Sequence, residues 1–312
     1  MARNGEDALQ MVEDLKPDVV TCDLTMPELD GVGFVRKQMA RRPVSILILT
    51  ASPQDAELVL EALQAGAVDF MQKPTALATD DLLGMREELI QKVKDAALAG
   101  RPVPLPSPAP AAEAPVQRSQ AAQKVDVVVL GISTGGPQAL RYLLPQFPAD
   151  FPVPLVMVLH IPVGYTALFA EKLAEISSLS VKEAYEGCVV QGREALLAPA
   201  GHHLYFKRNS SGQVVVQLSL QPTNQPHRPS VDVLFQSAAE TYRGRVLGVV
   251  MTGMGNDGKQ GAAWIKAQGG TILTESENSC VIYGMPRSVV EAGLSDAAVP
   301  LESMTKEICK RI

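Results

Sequence analysis

The chain has 312 residues, a net charge of −6, and a composition that is 46% hydrophobic but only 4% aromatic. At roughly 150 residues per domain this predicts about two domains, and that hydrophobic content excludes wholesale disorder. The acidic balance argues against a nucleic-acid surface, no run of about 18 apolar residues is present to span a bilayer, and the charged start, Met1 to Asp7, has no signal-peptide pattern, so a cytoplasmic protein that is not membrane-embedded is expected.

The front of the chain alternates helical and strand-like runs. Glu6 to Leu15 is amphipathic, Asp18 to Cys22 is an apolar run after Pro17, Phe34 to Met39 is helical, Ile46 to Thr50 is a buried-strand pattern, Asp55 to Ala65 is helical, and Val68 to Met71 is a third strand. This βαβ alternation predicts a parallel sheet with helices on its faces. Between Gly100 and Lys124 six prolines fall from Pro102 to Pro115 among Ala, Ser and Val, the composition of an extended spacer. The expected organisation is therefore a domain over 1–99, a Pro/Ala-rich linker over 100–124 and a second domain over 125–312.

The second domain repeats the α/β logic. Strands are predicted at Val125 to Leu130, Pro154 to His160 and Arg245 to Met251. Helices are predicted at Gln138 to Leu144, Ala167 to Ile176 and Ser230 to Thr241, the last with Ser230 as N-cap. Leu204 to Lys207 and Val214 to Leu218 flank Asn209-Ser-Ser-Gly212 and predict an inserted antiparallel hairpin. The four cysteines, Cys22, Cys188, Cys280 and Cys309, have no CxxC spacing and read as free thiols in a reducing compartment, with no zinc site.

Three strand ends carry the chemistry. Val127 to Gly131 runs into Ile132-Ser133-Thr134-Gly135-Gly136-Pro137, a tight strand-to-helix turn that fits a G-x-S-x-G nucleophile elbow. Glycine-rich turns of this kind also hold phosphates, but the Rossmann pattern wants glycine where Ser133 stands and a P-loop wants Gly-Lys-Ser/Thr. His160 ends the next strand, at the same rim, and could deprotonate Ser133. His227, in a loop just before a helix, is an alternative that spacing does not demote, while His202 and His203 at the hairpin read as structural or surface residues. Asp257, in the glycine-rich loop Thr252 to Gly258 after a third strand, could orient the histidine; the bland reading is an Asp-Gly turn. Amides near Met254 and Gly255, and the turn at Thr134, could serve an oxyanion.

These segments resemble the CheB-type chemotaxis methylesterases, in which a receiver domain is joined to a protein-glutamate methylesterase. The resemblance rests on Gly131 to Pro137, Val158 to Pro162, Ala198 to His203, His227 to Asp232 and Met251 to Gly258, in order along the back half. It implies Ser133, His160 and Asp257 as the catalytic residues, an oxyanion contribution near the Met254 backbone, and substrate-shaping roles for His227 and Arg228. It implies hydrolysis of glutamate methyl esters on methyl-accepting chemotaxis receptors, with deamidation of receptor glutamines as a companion activity and no cofactor for catalysis. A nucleotide-binding module using the 131–136 turn and a non-catalytic adaptor are the competing readings.

The front half resembles a receiver domain. Asp23 matches the phosphoacceptor, and Thr50 and Lys73 match the switch positions. The receiver's opening strand and its acidic pair have no counterpart, since the chain starts at the point of the family's second helix. The fold expected is a truncated flavodoxin-like receiver followed by a doubly wound, mostly parallel α/β domain with the hairpin inserted. The strand at Val19 to Cys22 is then expected to be an apolar edge. Phosphorylation of Asp23 by a chemotaxis histidine kinase, with Mg²⁺, is expected only if the missing acids are present, and a start codon further upstream would supply them.

Overall fold

The computed structural model describes residues 1–73, 82–98 and 125–312, which divide into two units, one within Met1–Pro106 and the other within Ser107–Ile312. The proline-rich segment over 100–124 lies outside the described residues, as does Pro74.

The first unit is built on three parallel strands, β1 (Val19–Asp23), β2 (Ser45–Thr50) and β3 (Asp69–Gln72), in the order β1-β2-β3. β2 is central and almost wholly buried, which is why it reads as an unbroken apolar run. β1 forms one edge, with Val19 and Val20 half-buried and Thr21 exposed. The helices are α1 (Gly5–Leu15), α2 (Gly31–Arg41), α3 (Ala56–Gln64) and α4 (Leu82–Leu98). Two of them start where short polar side chains satisfy first-turn amides: Asn4 accepts from Asp7 N at 2.8 Å and Asp30 from Gly33 N at 2.7 Å. Lys92 of α4 is paired with the buried Asp69 of β3 at 2.6 Å.

The second unit is organised by a seven-stranded, all-parallel sheet in the order β12-β11-β10-β4-β5-β7-β6. The strands are β4 (Val127–Ile132), β5 (Leu155–Leu159), β6 (Ser180–Glu183), β7 (Glu194–Leu197), β10 (Val246–Val250), β11 (Thr271–Glu275) and β12 (Ala297–Val299). β4, β5 and β10 are buried at every residue. The helices are α5 (Gly136–Leu143), α6 (Thr166–Ala174), α7 (Val231–Tyr242), α8 (Lys259–Ala267), α9 (Met285–Glu291) and α10 (Leu301–Lys310). From β4 the chain winds outward in one direction through β5, and from β10 in the other through β11 and β12. The order reverses between β4 and β10, the switch point where open α/β sheets hold their ligands.

The antiparallel hairpin, β8 (His203–Arg208) and β9 (Val214–Ser219), forms a separate two-stranded sheet. Its turn is closed by Asn209, whose side chain accepts from Ser211 N at 3.0 Å and Gln213 N at 2.9 Å. β8 packs on α7, and α7 packs on β4 and β10. Leu204, Phe206 and Val216 of the hairpin thus share one core with Phe235 of α7 and Val127 and Val129 of β4. Among the described residues no helix is long and apolar enough to cross a membrane.

Candidate active site

The register of the three central strands assembles the site. Ile132 pairs with Leu159, so Ser133 and His160 leave adjacent strands side by side, and the His160 amide donates to the Ile132 carbonyl at 3.1 Å. On the other side β10 pairs with β4, and the Ser133 amide donates to the Thr252 carbonyl at 2.9 Å. The turn after β4 is tight: the Gly136 amide donates to the Ser133 carbonyl at 2.7 Å and Gly135 has φ +80°. A side chain at Gly135 would also press on Val281. Thr134 is buried and its carbonyl accepts from the Thr252 hydroxyl at 3.0 Å, so it fixes the turn.

His160 Nε2 donates to Asp257 Oδ2 at 2.9 Å, and both side chains are buried. The other ring nitrogen, Nδ1, is buried with no hydrogen-bond partner. His160 leaves the strand next to the one that runs into Ser133, and Ser133 is half-buried. A ring whose Nε2–H is committed to a carboxylate presents Nδ1 as its free base.

Asp257 accepts from three further donors, all at the start of α7: Ser230 Oγ at 2.9 Å, Val231 N at 2.8 Å and Asp232 N at 2.9 Å. Burial would push its carboxyl up, but the His160 hydrogen bond and charge and the two amides outweigh it and hold the pKa at about 2. Asp257 therefore stays a carboxylate that orients His160 and stabilises its cation. Asp232 follows the opposite course: burial leads and its carboxyl is pushed up to about 6 despite the amides of Gly258, Gln260 and Gly261.

Behind Asp257 lies a residue whose role the sequence does not disclose. His203 is fully buried; its Nδ1 accepts from the Ser230 amide at 3.2 Å and its Nε2 donates to the Pro222 carbonyl at 3.0 Å. Burial lowers its pKa, and accepting at Nδ1 requires the neutral ring. It ties the end of the hairpin to the helix start that holds Asp257. His202, beside it, is exposed.

The remaining expected residues fall nearby. His227 stacks on His160, ring centroids 4.1 Å apart and planes 20° from parallel, so the two histidines left open by spacing are one pair in space. His160 holds the carboxylate, and His227 is exposed at the mouth. Arg228 is half-buried, with its Nε enclosed and unbonded. Met254 is half-buried and Gly255 exposed, and among the described residues their amides donate to no other group.

In the first unit Asp23, Thr50 and Lys73 meet at one carboxyl rim. Lys73 forms an ion pair with Asp23 and its amide donates to the Thr50 carbonyl at 2.7 Å. The Thr50 hydroxyl turns to Ser52 O and the Asp55 carboxylate, at 3.2 and 3.0 Å. Among the described residues no group of three or more His, Cys, Asp or Glu side chains is placed to hold a metal ion. Asp23, already paired with a lysine, does not by itself make a Mg²⁺ site.

The family model for CheB methylesterase matches residues 128–308, and that for the response regulator receiver domain matches residues 1–84. The chain belongs to the CheB methylesterase family. Among curated members, a protein-glutamate methylesterase/protein-glutamine glutaminase of Myxococcus xanthus is 48% identical over 307 residues, covering 97% of this chain and 87% of the relative. A protein of the same name from Symbiobacterium thermophilum is 38% identical, covering 100% of this chain and 88% of its own length. The crystal structure of the Thermotoga maritima CheB methylesterase catalytic domain is 37% identical, with a TM-score of 0.59, and covers 61% of this chain and all of that one. The two family models thus meet in one chain as a receiver domain followed by a CheB catalytic domain.

Proposed function

We propose that this chain is a protein-glutamate methylesterase that removes methyl groups from glutamate side chains of chemotaxis receptors, and that it deamidates receptor glutamines by the same acyl chemistry. The observation that carries the mechanism is the pairing of His160 Nε2 with Asp257 while Nδ1 is left unbonded, on a residue that leaves the strand next to the one that runs into Ser133. In this reading His160 Nδ1 takes the proton of Ser133 as Oγ attacks the γ-carbonyl. The Met254 and Gly255 amides receive the developing oxyanion. The imidazolium, stabilised by Asp257, returns the proton to the departing methoxide, and methanol leaves. Water, deprotonated by the same nitrogen, then hydrolyses the acyl-enzyme to free glutamate. With a glutamine substrate, ammonia leaves in place of methanol.

His227, stacked over the catalytic imidazole, and Arg228 are proposed to shape the approach of the receptor helix. Asp23 is the proposed phosphoacceptor and a chemotaxis histidine kinase the proposed donor, with Thr50 and Lys73 as switch residues. Because the substrate glutamates lie on the cytoplasmic helices of receptors, the proposed location is the cytoplasm. The proposed domain limits are 1–99, 100–124 and 125–312. The test is methanol release from membranes bearing methylated receptors. Ser133→Ala is expected to lower turnover by at least about 10³-fold. Turnover by Ser133→Ala at the wild-type rate would overturn the assignment.

A further inference from the structure

Among the described residues of the second unit, the catalytic steps above leave one buried acid unused. Glu275 closes β11 and is wholly inaccessible. Every hydrogen bond made to its carboxyl comes from a donor: Thr252 N–H reaches Oε2 at 2.9 Å, Ser279 Oγ–H reaches Oε1 at 3.0 Å, and the Cys280 thiol also donates. The charged group that bears on it from the neighbouring elements is Glu302 of α10, which repels it. Burial pushes its carboxyl up to about 7. An acid placed at this cost, with no ion-pair partner among the described residues, calls for an explanation beyond packing.

The explanation lies in Thr252, which is itself almost completely buried and is gripped at every polar atom by a different piece of the site. Its amide is held by Glu275. Its hydroxyl donates to the Thr134 carbonyl at 3.0 Å and accepts from the Ile282 amide at 3.0 Å. Its carbonyl accepts the Ser133 amide at 2.9 Å. The very next peptides carry the amides of Met254 and Gly255, while Gly253 is locked to the 282–285 segment: its amide donates to Ile282 O at 3.0 Å and its carbonyl accepts from Met285 N at 2.8 Å. Thr252 thus joins the nucleophile turn to the oxyanion loop, and Glu275 is its anchor in the sheet.

We propose that Glu275 is a positioning residue for ester hydrolysis: by holding the Thr252 amide it sets the separation between Ser133 and the Met254 and Gly255 amides. The inference rests on the methylesterase reading. Its signature is a loss in kcat rather than KM, because the separation matters only once the tetrahedral oxygen forms. A misplacement of about 1 Å costs on the order of 100-fold in rate.

The experiment measures methanol release from methylated receptor membranes by the full chain, wild type and variants, with circular dichroism to establish folding. Glu275→Ala is expected to lower kcat between about 10- and 100-fold while KM stays within about twofold. Glu275→Gln, which keeps an acceptor for the Thr252 amide, is expected to restore kcat to within about threefold of wild type. A folded Glu275→Ala with wild-type kcat, or a Gln variant as slow as the Ala variant, overturns the proposal. If Glu275→Ala does not fold, the pair Glu275→Met and Glu275→Gln decides. The methionine, which fills the space but offers the Thr252 amide no acceptor oxygen, is expected to lose kcat and the glutamine to keep it, and equal turnover by the two overturns the proposal. Failure of the underlying reading looks different: the wild type releases no methanol, or Ser133→Ala remains active.

Discussion

Among the described residues the Asp257 carboxylate accepts from four groups, and Ser230 supplies the one side-chain donor besides His160. Removing that hydroxyl takes one donor from the carboxylate that holds His160. Ser230→Ala is expected to lower kcat/KM roughly tenfold. Ser230→Thr, which keeps the hydroxyl, is expected to restore it. An alanine variant that is folded and fully active would show that Ser230 serves only as the cap of α7. Glu275 makes a second prediction at this scale, about stability. Its folded pKa of about 7 stands above the ordinary glutamate value of 4.5, so its contribution is complete below the lower value and is lost as pH rises through the higher. At about 1.4 kcal/mol per pH unit between the two, the loss is roughly 3 kcal/mol. Glu275→Gln does not titrate, so it should gain by about that amount over the wild type between pH 4.5 and 8, read as the difference in urea-unfolding free energy of the second unit. Asp232 is also raised but is common to both proteins and cancels. A difference that stays constant with pH would refute the assignment of this titration to Glu275.

At the scale of elements, the site exists because α7 comes close enough to β4 to lend its first amides to Asp257. Gly131 makes that approach possible: a Cβ there would sit 2.3 Å from Val231 Cγ1. Gly131→Ala is expected to destabilise the second unit by at least about 1–3 kcal/mol through overpacking and to depress activity by displacing α7. Val231→Ala in the same chain should return most of both; no rescue would mean that the glycine is needed for its backbone freedom instead. This architecture also explains what was legible in the sequence. Ser133, His160 and Asp257 each follow a strongly apolar strand, and parallel strands bring such ends to one rim, so the pattern announces them. Ser230 was readable as a cap, but its bond to Asp257, 27 positions away, has no local signature. The same holds for His203, reached through the fold from Ser230, and for Glu275, which looks like an ordinary polar strand end. The choice between His160 and His227 is invisible to spacing because the rings stack, and the bond from His160 to Asp257 appears only in the fold. The unread strands are β6, β7, β11 and β12, of four, four, five and three residues, too short to show a clear period, and β6 and β12 lie at the sheet edges.

At the scale of the whole molecule, the two units carry separate cores of unequal size. The first rests on three strands, with β1 at an edge and only half-buried, whereas the second rests on seven strands, with the core continued into α7 and the hairpin. The fraction of surface buried rises with domain size, so the first unit should be the less stable. Heating the full chain is therefore expected to give two calorimetric transitions, the first unit unfolding at the lower temperature. Every residue proposed for hydrolysis, from Ser133 and His160 to Asp257 and Glu275, belongs to the second unit. Methanol release should accordingly persist through the first transition and disappear with the second. A single transition, or activity that is lost in step with the first, would mean that the catalytic geometry depends on the receiver unit and not on its own sheet alone.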